Sequence, residues 1–321
     1  MKKYAFDIVK YEKEPLQNPQ DVLAARPFIN PDNKLTRDAS KFYPGAELDL
    51  AINTAIAVGE PLLITGEPGT GKTQTAYYTA HKLGLSKVFH FQVKSDSTAH
   101  DLLYEFNSVG YFREAQLAED IDQLDKMRFV DRRTLYLAIE ASNKSGLPSV
   151  VLIDEIDKAP RDFPNDLLHE IDHMEFKIIE LEDAEPIKVK DKALRPLVFI
   201  TSNSERRLPE PFLRRCVYHH IQFNEDILEQ AWKARKQDFP GLSEDLARLA
   251  IQRFIDLRKK DLRKYPATGE FLVWLKLLAI YANTNPGELE DKLREAESNL
   301  AELPYLKSVL LKDHKDGEEI G

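Results

Sequence analysis

The chain has a single cysteine, Cys216, in 321 residues, which excludes an internal disulfide and a cysteine-cluster metal site. Redox chemistry is thereby set aside, and Cys216 reads as a small buried apolar residue. No stretch approaches the roughly 18 apolar residues that a membrane span needs. The opening "MKKYAFDIVKYEKEP" is basic but lacks an apolar run of signal-peptide length, so the expected location is cytoplasmic. Positive charge is in deficit. The 45 Lys and Arg against 54 Asp and Glu leave a net charge of −9, which argues against a general phosphate-backbone binder, and nucleic acid is not expected as a partner. Internal repeats and low-complexity tracts are absent, which excludes array architectures. The eight histidines show no metal-ligand spacing, and His219 and His220, adjacent in a predicted strand, point to opposite faces.

What is present is a globular composition, 42% hydrophobic, long enough for a sizeable core and for two domains or one large domain with an appendage. Residues 1–41 are rich in Pro, Asn and Asp and read as an N-terminal strap. From Phe42 onward helical patterns alternate with short apolar runs: "LDLAINTAIAVG" helical, "PLLIT" a strand, "TQTAYYTAHKLG" helical, "KVFHFQV" a strand. That alternation predicts a parallel sheet. "SVVLI" and "LVFIT" are too apolar for one-sided strands and belong between helix layers, and "CVYHHIQF" adds a fifth strand that closes a core domain over 42–223. Residues 224–321 are almost wholly helical. Within the core, 174–189 alternates around an acidic, proline-containing turn and predicts a protruding hairpin.

Glycine is scarce, 13 in all, yet three fall within six residues of "TGEPGTGKT". Gly66, Gly71, Lys72 and Thr73 fit G-x-x-x-x-G-K-[ST], between a predicted strand and a predicted helix, the context this phosphate-binding pattern requires. In such a loop (Gly66, Glu67, Pro68, Gly69, Thr70, Gly71) backbone N–H groups turn inward around a polyphosphate. The helix N-terminus adds positive potential, Lys72 reaches the terminal phosphates, and Thr73 reaches magnesium.

A second signal is "VVLIDEID", where a buried strand delivers Asp154 and Glu155 at its C-terminal end, the ligand-binding edge of open α/β sheets. Asp154 suits magnesium, and Glu155 suits the orientation and deprotonation of an attacking water. Alone, the pair could equally cap the following helix. A third strand end, "LVFITSN", offers Asn203 to a γ-phosphate or water, or simply to a turn. "ERRLPEPFLRRC" then concentrates Arg206, Arg207, Arg214 and Arg215. These suit either a solvated basic face or a cation lent to a neighbouring subunit's nucleotide.

The segments "FYPGAELDLAINTAIAVGEPLLITGEPGTGKT", "DLLYEFNSVGYFREAQ", "VVLIDEIDKAPRDFPNDLLHEID", "FITSNSERRLPEPFLRRC" and "LPYLKSVLLKD" together resemble the MoxR branch of the AAA+ ATPases. The resemblance implies an α/β P-loop NTPase core with a parallel five-stranded sheet of order 5-1-4-3-2, and an all-helical lid. It further implies a homo-oligomeric, hexameric ring that hydrolyses ATP with Mg2+ to remodel a protein client in a chaperone-like manner. Clients of this kind include proteins with a von Willebrand factor A domain and other components of a bacterial complex. Carried onto this sequence, Lys72 and Thr73 take the Walker A roles, Asp154 and Glu155 the Walker B roles, Asn203 that of sensor 1, and Arg215 with Arg214 that of the arginine finger. Residues 98–116 become the helix-2 insert and 174–189 the hairpin before sensor 1, both expected to line the pore or touch the client. Tyr104, Phe106, Tyr111 and Phe112 of the insert are expected to pack it onto the core. One departure stands out: where a sensor 2 arginine would open a lid helix, "PATGEFLVW" offers Glu270.

Two other readings belong to different classes. One is a nucleotide-dependent scaffold or switch, which does not need Glu155. The other is a McrB-like DNA translocase, opposed by the acidic charge balance and the lack of a DNA-binding module. GTP is discounted, because "SNKSG" carries Gly146 where the guanine-reading pattern N-K-x-D needs an aspartate.

Overall fold

The computed structural model describes residues 34–85, 87–117, 124–181, 184–203 and 207–320. The chain divides into two compact units, Met1–Arg37 and Asp38–Gly321, and the second carries the elements below. Most of the expected strap, 1–33, lies outside the described residues, as does Arg206.

The five central strands are β1 (Leu62–Gly66), β2 (Val88–Gln92), β3 (Val150–Asp154), β4 (Leu197–Ser202) and β5 (Val217–Ile221), all parallel where they pair. Their order across the sheet is β5-β1-β4-β3-β2, the order the sequence resemblance implies. Position in the sheet explains composition. Every residue of β1 and β3 is buried, as are five of the six residues of β4, because helices cover both faces of the central strands. The edge strands β2 and β5 mix buried, half-buried and exposed positions, which accounts for their His, Gln and Tyr.

Helices fill the crossovers. α1 (Ala46–Val58) buries Leu48, Ala51, Ile52 and Ala55, the i, i+3, i+4, i+7 stripe of a one-faced helix, and ends at Gly59 in the left-handed conformation. α2 (Lys72–Lys82) follows the loop after β1. A short antiparallel pair, Tyr104–Phe106 with Val130–Arg132, brackets α3 (Ser108–Ala115), so the structure that begins in the expected insert runs on past residue 116. Of its aromatic residues Tyr104 is buried and stacks on Phe176, whereas Phe112 is 64% exposed; the expected packing holds for the first and not for the second. α4 (Thr134–Ser145) and α5 (Phe163–His173) flank β3, and Glu175–Phe176 pairs with Ile187–Lys188 within the predicted hairpin.

The helical C-terminal part comprises α6 (Glu225–Arg235), α7 (Glu244–Arg258), α8 (Thr268–Thr284), α9 (Pro286–Glu295) and a last short α10 (His314–Ile320). Asn224 and Ser243 cap the first two, their side chains accepting from the amides of Ile227 and Leu246. Phe254, Phe271, Trp274 and Leu278 form a core separate from the one around the sheet. Among the described residues no helix is long and apolar enough to cross a membrane.

Candidate nucleotide site

Parallel register brings the C-terminal ends of three central strands into line, with Thr65 opposite Ser202 and Ile153 opposite Ile200. The residues that follow β1, β3 and β4 therefore share one edge of the sheet, which is where the loop, Asp154, Glu155 and Asn203 meet. A cavity of about 230 Å³ lies at the opposite edge, lined by Ala55, Pro61, Pro148 and Phe199, and contains none of them.

The loop can hold its shape only with glycine at its ends. Gly66 has φ +146°, and a Cβ there would stand 2.7 Å from the carbonyl oxygen of Ile221 on β5. Gly71 has φ +99°, and its Cβ would stand 2.6 Å from the Phe42 ring. Neither position admits an L side chain without displacing a neighbour. α2 starts at Lys72, so its free N-terminal N–H groups face the loop. The Lys72 side chain is almost wholly enclosed, and its ammonium donates to Gly66 O at 2.8 Å and Glu67 O at 2.9 Å. Burial lowers its pKa, opposed by the charges of Asp154, Asp157, Glu155 and Glu67.

Thr73 and Asp154 are joined directly: the Thr73 hydroxyl donates to Asp154 Oδ1 at 3.0 Å and Oδ2 at 3.2 Å. Thr201 of β4 also donates to Oδ1, and His90 of β2 lies 3.3 Å from Oδ2. Burial alone would raise the Asp154 pKa. The hydrogen bonds from His90, Thr201 and Thr73, with the charge on His90, outweigh it and hold the carboxyl below the usual aspartate value. Two oxygen donors this close, one of them anionic, fit a magnesium ion whose remaining positions go to water and substrate phosphate.

Glu155 has φ 62° and ψ 51°, a left-handed backbone that costs a non-glycine residue roughly 1–3 kcal/mol. Its amide is held by Thr201 Oγ1 at 2.9 Å, so one hydroxyl fixes both Asp154 and Glu155. The Glu155 carboxylate accepts from Gln92 Nε2 at 2.6 Å, Lys158 Nζ at 2.5 Å and Asn203 Nδ2 at 3.3 Å. Asn203 is itself anchored by its amide on Asp157 Oδ1 at 3.1 Å. The pair does not cap α5, which begins only at Phe163; Glu155 stands instead at the N-cap position of a short 3-10 helix, Ile156–Lys158, without a capping hydrogen bond from its side chain.

The arginines stand apart from this cluster. Arg207 and Arg214 form ion pairs with Glu210 at 3.9 and 3.5 Å, and Arg215 with Asp172 at 3.8 Å; their side chains are 88%, 81% and 56% exposed. Glu270 has a structural task, its carboxylate accepting from the Ala267 amide at 3.1 Å in the first turn of α8. Four contributors escaped the sequence reading: His90, Gln92, Lys158 and Arg258, whose guanidinium reaches Glu67 Oε2 at 3.0 Å. Gln92, at the end of a strand neighbouring Asp154, and Lys158, three residues after Glu155, were the two with a positional signal.

No curated protein matches the chain. A family model described as AAA domain (dynein-related subfamily) matches residues 61–216. Among solved structures, a candidate ATPase from Cytophaga hutchinsonii is 15% identical, covering 82% of this chain and 83% of that one, with a TM-score of 0.39. Two mutant forms of RuvB from Thermotoga maritima are 14% and 15% identical. They cover 78% and 87% of this chain and 67% and 70% of theirs, with TM-scores of 0.43 and 0.41. The matched segment, just under half of the chain, is similar to an AAA domain and holds the loop, the Asp154–Glu155 pair and four of the five sheet strands, and the 5-1-4-3-2 parallel sheet with its helical C-terminal part is the fold of the AAA+ P-loop ATPases.

Proposed function

We propose that this chain is a MoxR-like AAA+ ATPase that hydrolyses ATP within an oligomeric ring and uses the cycle to remodel a partner protein. The observation that carries the reading is Glu155, a carboxylate held by three donors beside Asp154 and at the edge of the sheet that bears the phosphate loop. In this reading the amides of residues 66–71 and the ammonium of Lys72 hold the triphosphate, and Thr73 and Asp154 hold magnesium. Magnesium, when bound, neutralises charge on the β- and γ-phosphate oxygens. Glu155 takes a proton from water as the water oxygen bonds to the γ-phosphorus and the bond to the β–γ bridging oxygen breaks. Asn203 fixes the Glu155 carboxylate and reaches toward the same water.

The ring is supported by Arg214 and Arg215. Both are exposed, and their ion pairs run to Glu210 and Asp172 and not to this chain's own loop, which leaves them available to a neighbouring subunit's phosphates. A protein client, including one with a von Willebrand factor A domain, follows from the MoxR resemblance alone. The test is phosphate release from Mg-ATP, measured together with particle mass with and without a non-hydrolysable ATP analogue. Turnover and analogue-dependent assembly are expected. A monomer that neither binds nor cleaves ATP would overturn the reading, and assembly without turnover would favour a nucleotide-dependent scaffold.

A further inference from the structure

Arg258 closes α7 and is anchored on three sides. One amino group of its guanidinium ion-pairs with Glu67 Oε2 at 3.0 Å, and the other donates to the carbonyl of Pro266. The guanidinium centre lies 3.7 Å from the centroid of the Phe223 ring and 5.4 Å from that of Tyr265. Its side chain is only 12% exposed. These partners belong to different parts of the molecule. Glu67 lies in the phosphate loop, Phe223 in the link between β5 and α6, and Tyr265 with Pro266 in the turn that leads into α8. The first turn of α8 also meets the loop, where the Gly269 amide donates to Gly69 O at 3.2 Å. Glu67 also meets the loop lysine, because its main-chain oxygen accepts from Lys72.

The chemistry of the loop makes this arrangement consequential. Glu67 places a carboxylate in a segment whose expected ligand is a polyphosphate, and nearby like charges oppose binding. A planar, permanently charged guanidinium, stacked on an aromatic ring and largely withdrawn from water, is the group best suited to cancel that carboxylate. Because Arg258 is carried by the helical part, cancellation is complete only when that part sits where it does here. Nucleotide affinity and the seating of α7 and α8 are therefore coupled through one ion pair.

We propose that Arg258 is a positioning residue for the nucleotide: acting through Glu67, it neutralises the loop carboxylate and ties the helical C-terminal part to the loaded phosphate loop. This rests on the nucleotide reading above.

The test is a double-mutant cycle on the full chain, reading the Kd for Mg-ATPγS by calorimetry and KM and kcat for ATP. Arg258→Met is expected to raise Kd and KM by roughly tenfold, within the range of couplings between linked sites, with a smaller change in kcat. Adding Glu67→Gln to Arg258→Met should recover most of that loss, which a purely structural role for Arg258 does not predict, since the contacts to Phe223 and Pro266 stay broken. Arg258→Lys, which keeps the charge, should stay within about threefold of the parent and carries the test if Arg258→Met does not fold. Unchanged affinity in Arg258→Met, no recovery in the double variant, or a loss beyond about tenfold in Arg258→Lys overturns the proposal. Parent protein that fails to bind Mg-ATPγS removes the nucleotide reading, and this inference with it.

Discussion

Asn203 and Glu155 face each other across the ends of neighbouring strands, with Asn203 Nδ2 donating to Glu155 Oε1 at 3.3 Å. The contact is long for a hydrogen bond to a carboxylate, and two shorter ones, from Gln92 and Lys158, hold the other oxygen. The carboxylate is thus held by groups from the end of β2, the end of β4 and the turn after β3. Its direction depends on the sheet and not on its own rotamer preference, the condition under which a side chain serves as a placed base.

Replacing Glu155 with Gln keeps one acceptor oxygen, enough for the Gln92 and Lys158 donors that share Oε2, and removes the basicity. Glu155→Gln should bind Mg-ATP with near-parental affinity and lose turnover by about 10²–10⁴, the usual share of a general base. Nucleotide binding measured beside phosphate release checks this. Retained turnover would assign the proton to another group.

Arg215 makes one long ion pair on an open surface, so removing it should change stability by less than about 1 kcal/mol. If the guanidinium serves a neighbouring subunit, Arg215→Ala should still bind ATP while turnover falls by roughly 10³ or more. Mixing Arg215→Ala with Glu155→Gln subunits should restore part of the activity, because some interfaces then join an intact base to an intact arginine. Absence of recovery at every mixing ratio would count against a shared site.

Gly66 is fixed by backbone, and backbone cannot swing aside. A methyl group at this position meets the Ile221 carbonyl of β5 at 2.7 Å and demands a φ that alanine rarely adopts. Gly66→Ala should therefore cost about 1–3 kcal/mol in chemical denaturation and weaken ATP binding by displacing the loop. An unchanged denaturation midpoint would mean that β1 and β5 are less tightly coupled than their register indicates.

How far the site was legible depended on sequence distance. Leu62–Gly66, Val150–Asp154 and Leu197–Ser202 are buried on both faces, and their unbroken apolar runs announced them. The Gly and Lys-Thr spacing marked the loop because each residue type has its own stereochemical task there. The strand Val130–Arg132 left no trace, since three residues are too few to show a period of two. Arg258 was out of reach for another reason: its partner Glu67 lies 191 residues away, and nothing local to α7 distinguishes it from an ordinary helix-end cation. Phe112 was misjudged because aromatic character alone does not say which side of a short helix faces the core.

Cys216 offers a check on burial that is independent of nucleotide. It is half-buried by surface, yet burial of the thiol, with the charges of Glu60 and Asp172, pushes its pKa from 9.0 up to about 12. The folded protein therefore keeps its thiol proton between pH 9.0 and about 12, where the unfolded chain releases it. In that window the native state binds more protons than the unfolded state, so stability falls as pH rises. Below pH 9 the group contributes no slope, since both states are protonated. Denaturation midpoints measured from pH 8 to pH 11 should decline less steeply in Cys216→Ala than in the parent. The same displacement leaves little thiolate at pH 8, so a disulfide reagent should label the folded protein orders of magnitude more slowly than the unfolded chain. Rapid labelling of the native protein at pH 8, together with identical alkaline slopes for the two proteins, would show that the Cys216 thiol is not shielded by the elements packed around β5.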